Sequence, residues 1–283
     1  MKRQWIPMLG LAVVMSMCFS ACGGADKRES SSDKRKNIIV GLEGDYTPYN
    51  WTTLSTSDES LIHPFTGQSG YAAGYDVLMA KRIADEMGVE LEIKKISWDG
   101  LILALESNNI DLIIAGMSPT QERMRAISFS DPYFVDTPEL VIVVRKDGNY
   151  VNATTRADFA NAMITAQQGT YHADLLEQLP SKKATLLTDY VALMQSLKSG
   201  VVDGYIAERV VAEEHLRANS DFTMVQLSGE EALVIPTEQG TTAIGLRKSD
   251  QQLREEVNQA LAKISEEERR EMMEHAKSAA AML

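Results

Sequence analysis

The segment "IDLIIAGMSPTQER", Ile110 to Arg123, decides how this chain is read. Its opening residues are almost continuously apolar, the pattern of a short strand covered on both faces. The run breaks at Gly116, passes through Met117-Ser118-Pro119-Thr120 and reaches Arg123. Small polar residues at that point mark a helix start, where free backbone N–H groups meet anions. Open α/β sheets take ligands beyond the carboxyl ends of their strands. Gly116 there allows close approach to backbone carbonyls, Ser118 and Thr120 offer hydroxyls, and Arg123 supplies a forked donor that fits a carboxylate in two contacts. Met117 reads as apolar filler beside the same cleft.

Outward from that segment, strand-like and helix-like stretches alternate, which predicts an α/β architecture with mostly parallel sheets. "NIIVGLEG", "VELEIKKI" and "ELVIVVRK" read as strands and "WDGLILALESNN" as a helix. "YDVLMAKRIADEMG" places Val77, Ala80, Ile83, Ala84 and Met87 on one helical face, with Gly88 as the stop and Asp76 as a candidate cap. The second half repeats the plan. A shift of 92 positions sets Asp111 against Asp203, Leu105 against Leu197, Ile110 against Val202 and Gly116 against Glu208. A shift of 125 sets Gly44 against Gly169 and Tyr46 against Tyr171. The polar stretch between Asn50 and Gly74, with Trp51, His63 and Phe65, reads as the extra chain of the first half and as a loop able to rim the cleft. Two facing units would put Arg123 on one wall and Glu208 on the other, a pair of charges suited to a zwitterion.

Composition limits the alternatives. The 283 residues carry a formal charge of -12, which argues against a nucleic-acid partner. The four histidines (His63, His172, His215, His275) show no ligand spacing, so no metal is expected, and no cofactor motif is present. Lys2 and Arg3 precede the apolar run "IPMLGLAVVMSMCFSA", the layout of an export signal. Phe19-Ser20-Ala21-Cys22 before Gly23-Gly24 resembles the lipobox of bacterial lipoproteins. That assigns residues 1–21 to a signal peptide, Cys22 to lipidation and membrane anchoring, and the Ser-rich, charged residues 22–37 to a tether. An ordinary signal peptide cut nearby is the alternative. Both cysteines lie in or beside the leader, so no disulfide framework is available to the body.

"GYDVLMAKRIA", "WDGLILAL" and "IDLIIAGMSPTQERMRAISFSDPY" together resemble the bacterial extracellular solute-binding proteins of family 3, over Ile38 to Met273. The resemblance implies the periplasmic-binding-protein-like type II fold, two α/β lobes joined by two hinge strands and closing on one ligand. Residues 38–136 and 228–283 would form lobe 1 and 137–227 lobe 2, with crossings near Asp136–Thr137 and Leu227–Ser228. It implies a monomeric receptor outside the cytoplasmic membrane, with no catalytic role, that passes a free L-amino acid to an ABC permease and ATPase. Arg123 and the Ser118 region would take the α-carboxylate with Thr170 and Tyr171. Glu208 and the Gly116 carbonyl would take the α-ammonium, and Tyr46 and Trp98 would wall the side chain. Glu43 stands where receptors for basic amino acids often carry aspartate, and with Asp76 it points to a cationic or polar side chain. A small-carboxylate dehydratase on the same fold and an amino-acid sensor module are the competing classes.

Overall fold

A computed structural model describes residues 35–135, 138–235 and 240–283. Cys22, the leader and most of the tether lie outside the described residues, as do Asp136 and Thr137. In the first lobe the chain runs β1 (Asn37–Leu42), β2 (Asp45–Tyr46), β3 (Asn50–Thr53), β4 (Ile62–Pro64), β5 (Tyr71–Ala73), α1 (Tyr75–Met87), β6 (Glu90–Lys95), α2 (Leu101–Glu106), β7 (Leu112–Ile113), α3 (Gln121–Ala126) and β8 (Ser128–Val135). The second lobe supplies β9 (Leu140–Arg145), β10 (Met163–Thr165), α4 (Tyr171–Leu175), β11 (Lys182–Lys183), α5 (Tyr190–Lys198), β12 (Gly204–Glu208), α6 (Arg209–Ala218) and β13 (Phe222–Val225). The chain then returns to the first lobe as β14 (Thr241–Leu246), α7 (Gln251–Leu261) and α8 (Glu266–Ala280).

Each lobe is built on a five-stranded sheet, ordered β6-β1-β7-β14-β8 in the first and β11-β10-β12-β9-β13 in the second. The expectation of mostly parallel sheets holds for half of each. β1 pairs in parallel with β6 and β7, and β10 with β11 and β12, but β14 and β9 run antiparallel to both their neighbours. These two strands enter their sheets directly from the other lobe, so no helical crossover imposes parallel pairing on them. The α1 face is as expected: Val77, Ala80, Ile83 and Ala84 are buried, Met87 packs at their edge, and Gly88 ends the helix at φ 64°.

The internal repeat is visible as shared chemistry. Asp111 accepts from the backbone N–H of Ile39 (3.1 Å), and Asp203, 92 residues on, accepts from that of Met163 (2.8 Å). An arginine lies beside each acid: Arg247 is 3.0 Å from Asp111 and Arg145 is 3.7 Å from Asp203. Arg247 Nη1 also donates to the Leu105 and Ile110 carbonyls, and Arg145 Nη1 to those of Leu197 and Val202, the positions that the same shift makes equivalent. Each lobe therefore anchors its strand and helix ends with one guanidinium.

Two sequence expectations are corrected here. The stretch from Asn50 to Gly74 is no cleft loop, because β3, β4 and β5 join β2 in a four-stranded antiparallel sheet that buries Trp51, Leu61 and Phe65 in the first lobe. The return crossing also lies later than Leu227–Ser228. Leu227 is in the second lobe's core, Leu233 and Ile235 pack against it, and Arg156 donates to the Glu230 and Glu231 carbonyls. The second lobe's packing extends as far as Ile235, and β14 of the first lobe begins at Thr241.

Candidate functional site

Strand ends from both lobes converge on one cavity. Its walls include Glu43, Tyr46, Trp98, Gly116, Ser118 and Arg123 from the first lobe, and Gln167, Thr170, Tyr171, His172, Tyr190 and Glu208 from the second. Nine of the predicted residues are thus brought together. A larger space of about 310 Å³ adjoins it on the side of the lobe crossings and shares Tyr46, Gly116, Ser118, Tyr171 and Glu208 with it.

Arg123 sits on α3, which Thr120 caps by accepting from the Arg123 N–H at 3.3 Å. The residue is 8% exposed. Its Nη1 donates to the Ser118 carbonyl and its Nη2 to the Gly169 carbonyl of the opposite lobe, both at 2.8 Å. Among the described residues no carboxylate lies within salt-bridge distance of it, and burial pulls its pKa down to about 10. Its central carbon stands 4.9 Å over the Trp98 ring, and Trp98 Nε1 donates to the same Gly169 carbonyl at 3.1 Å. Gly169 has φ 70°, which a side chain would strain, so this carbonyl is presented by a glycine turn.

Glu208 ends β12 and opens α6, buried on the opposite wall. Tyr171 donates its hydroxyl to Oε1 at 2.7 Å, Tyr190 reaches Oε2 at 3.5 Å, and His172 Nε2 lies 3.2 Å from Oε1. Burial alone would raise the pKa of Glu208. The His172 ring and the Tyr171 hydroxyl outweigh burial and hold it down to about 2, so the carboxylate stays ionised. Glu43 behaves oppositely. Burial, reinforced by the nearby Asp45, pushes it up to about 8 although Gln167 Nε2 donates to it across the cleft at 2.7 Å.

Tyr46 is stacked on both faces, by Tyr49 at 4.7 Å and by Tyr190 of the second lobe at 5.8 Å. Gly116, at φ 61°, is the close approach the sequence implied: a Cβ there would fall 2.6 Å from the Tyr46 ring. Thr170 spends its hydroxyl on the Gln167 carbonyl at 2.8 Å.

Asp76 and Met117 are corrected. Met117 is buried in the first lobe's core, where its carbonyl accepts from Ala243. Asp76 neither caps α1, whose N-cap is Gly74, nor lines the cavity. Its carboxylate takes Asn50 Nδ2 and the Tyr133 hydroxyl, both at 2.7 Å. Asn50 accepts from the Gly44 N–H, and the Tyr133 oxygen from the Gly116 N–H. Asp76 therefore ties together the two loops that carry Tyr46 and Gly116. Gln167, His172 and Tyr190 were not foreseen. Gln167 had a signal, a polar residue at a strand end where the 125-residue shift places Leu42. His172 had one in its position directly after Tyr171.

The sequence profile of the bacterial extracellular solute-binding proteins, family 3, matches residues 38–275. The chain belongs to this family. Like other members, the receptor has the type II two-lobed architecture. It is 27% identical to the arginine-binding extracellular protein ArtP of Bacillus subtilis, over 93% of each chain. It is 26% identical to the L-cystine-binding protein TcyJ of Escherichia coli, over 83% of this chain and 79% of that one. Among solved structures, the substrate-binding protein AbpA of Streptococcus pneumoniae bound to L-arginine superposes with a TM-score of 0.71 at 27% identity, covering 87% of this chain and 96% of that one. A mutant of the ArgBP protein of T. maritima gives 0.68 at 30% identity, over 87% and 97%.

Proposed function

We propose that this solute-binding protein captures a free α-amino acid with a cationic side chain between its lobes and delivers it to an ABC importer. The observation that carries the reading is the placement of Arg123 and Glu208, oppositely charged and buried, on facing walls of one cavity. Arg123 takes the α-carboxylate in place of its backbone carbonyl partners, because a charge-assisted fork is stronger than neutral acceptors. Glu208 and the Gly116 carbonyl take the α-ammonium, with Ser118, Thr170 and Tyr171 around the two ends. Tyr46 and Trp98 border the side chain, and Glu43 meets its far charge. The names of the arginine-binding relatives support the cationic class.

The receptor works outside the cytoplasmic membrane as a monomer, anchored through a lipidated Cys22. Among the described residues no helix is long and apolar enough to cross a membrane, so the body relies on that anchor for attachment. It holds its ligand without chemical change. Calorimetric titration with the twenty amino acids, and Arg123→Ala as control, tests the reading. Micromolar or tighter binding of arginine or lysine, lost in the variant, is expected. Tight binding only of acidic or aliphatic amino acids would exclude the cationic class, and binding that survives Arg123→Ala would exclude the carboxylate assignment.

A further inference from the structure

The space of about 310 Å³ beside the amino-acid cavity has no role in the reading above. Its volume is at the lower end of small-molecule sites, which span about 300–1,000 Å³. It shares Glu208 and Gly116, the contacts assigned to the α-ammonium. Arg123 and Glu43, assigned to the carboxylate and to the far charge of the side chain, line only the amino-acid cavity. The ligand nitrogen therefore stands at the boundary, and a group attached to it points into the larger space.

The lining says what that group is. Tyr49, Phe134 and Met273 give the space an apolar floor on the first lobe, and Arg209, Val210 and Glu213 face it from α6 of the second. Both of its cations are already paired: Arg209 Nε donates to Glu139 at 2.6 Å and Lys277 Nζ to Glu274 at 2.8 Å. Glu213 is partly buried, and its carboxylate has no hydrogen bond or ion pair among the described residues. The space is thus short of positive charge, which favours a cation in it and disfavours a carboxylate.

We infer that the receptor also captures a dipeptide, whose C-terminal residue fills the amino-acid site and whose N-terminal residue occupies the adjoining cavity, with Glu213 as the specificity-determining contact for the N-terminal ammonium. This rests on the receptor reading above. Peptide linkage turns the α-nitrogen into an amide with one N–H, for which the Gly116 carbonyl is the acceptor. The next nitrogen lies one residue on, at most about 3.6 Å away. Glu208 and Glu213 are separated by about 7.5 Å along α6, so an ammonium displaced by one residue is within reach of both carboxylates. An apolar N-terminal side chain matches the floor of Tyr49, Phe134 and Met273.

Titration calorimetry with arginine, alanyl-arginine and N-acetylarginine, in wild type and Glu213→Gln, tests this. Alanyl-arginine is expected to bind wild type within about tenfold of arginine. N-acetylarginine keeps the amide but has no ammonium, and should bind at least about tenfold more weakly than the dipeptide. Glu213→Gln should weaken alanyl-arginine by about tenfold and leave arginine within about twofold. A dipeptide weaker than arginine by more than about tenfold overturns the inference, as does N-acetylarginine matching the dipeptide, or a Glu213→Gln effect equal for both ligands. The wild-type comparison of the two N-substituted ligands decides the matter even if the variant fails to fold. Arginine binding without dipeptide binding overturns only this inference, whereas binding of neither overturns the receptor reading with it.

Discussion

Glu43→Gln separates the side-chain contact from the rest of the site, and its effect can be worked out in advance. With a pKa of about 8, Glu43 is some 3% ionised at pH 6.5 and half ionised at pH 8, so binding that requires its charge strengthens about 15-fold across that interval. The variant keeps the shape and the bond to Gln167 but has no charge to gain. Arginine affinity measured by titration calorimetry between pH 6.5 and 8 should therefore rise in wild type about 15-fold more than in the variant. Stability should move the other way. The folded pKa is raised, so the folded chain holds a proton that the unfolded chain loses above its ordinary value of 4.5. That lowers ligand-free stability progressively from there to about pH 8, by about 3 kcal/mol at pH 7 as an upper limit. Glu43→Gln escapes this loss. Its melting temperature should exceed the wild type's at pH 8, with the margin shrinking toward pH 5. An unchanged arginine profile, or a variant less stable at pH 8, would refute the reasoning.

Other substitutions address the remaining contacts. Arg123→Lys keeps the charge but loses the fork, and should weaken arginine binding by roughly 10- to 100-fold in the same assay, in line with about 1.5–3 kcal/mol for a charged hydrogen bond. Gly116→Ala puts a methyl 2.6 Å from the Tyr46 ring at a left-handed φ; chemical denaturation should show a loss of about 1–3 kcal/mol, with weaker binding as Tyr46 is displaced. Asp76→Ala leaves Asn50 and Tyr133 buried without their acceptor and should cost about 2–4 kcal/mol by the same method, though Asp76 is not in the cavity lining. Trp98→Phe removes the bond to Gly169 while keeping a ring beside Arg123, so small-angle scattering of the ligand-free protein should show a larger radius of gyration than wild type.

Much of the site was legible because strand ends have a signature. Gly116, Ser118 and Arg123 follow an apolar run, Glu208 ends the equivalent run 92 residues on, and topology does the rest. The sheet directions were less legible. β9 and β14 have the same apolar composition as parallel core strands, and only the lobe crossings before them set their sense. Asp76 was misread because a cap and a buried network hub use the same residue near the same helix start. Tyr190 carries no local pattern at all; only the packing of α5 around Glu208 brings it to the cavity.

The cleft residues are already engaged with one another, and this bears on how a ligand could close the lobes. Arg123 and Trp98 both donate to Gly169, Gln167 donates to Glu43, and Tyr190 covers a face of Tyr46, each contact crossing between lobes. A ligand that binds Arg123, Glu43 and the face of Tyr46 displaces several of the bonds that hold the walls together. It can favour the closed form only by the difference between what it supplies and what it removes. The difference is favourable at the charges. Arg123 exchanges neutral carbonyls for a carboxylate, and Glu43 exchanges an amide for a cation that also reverses its raised pKa. A neutral ligand of the same shape would replace the amide contact without ionising Glu43. On the proposed assignment, selectivity for a cation follows from the closure step itself, and it should be greatest where Glu43 ionises most readily.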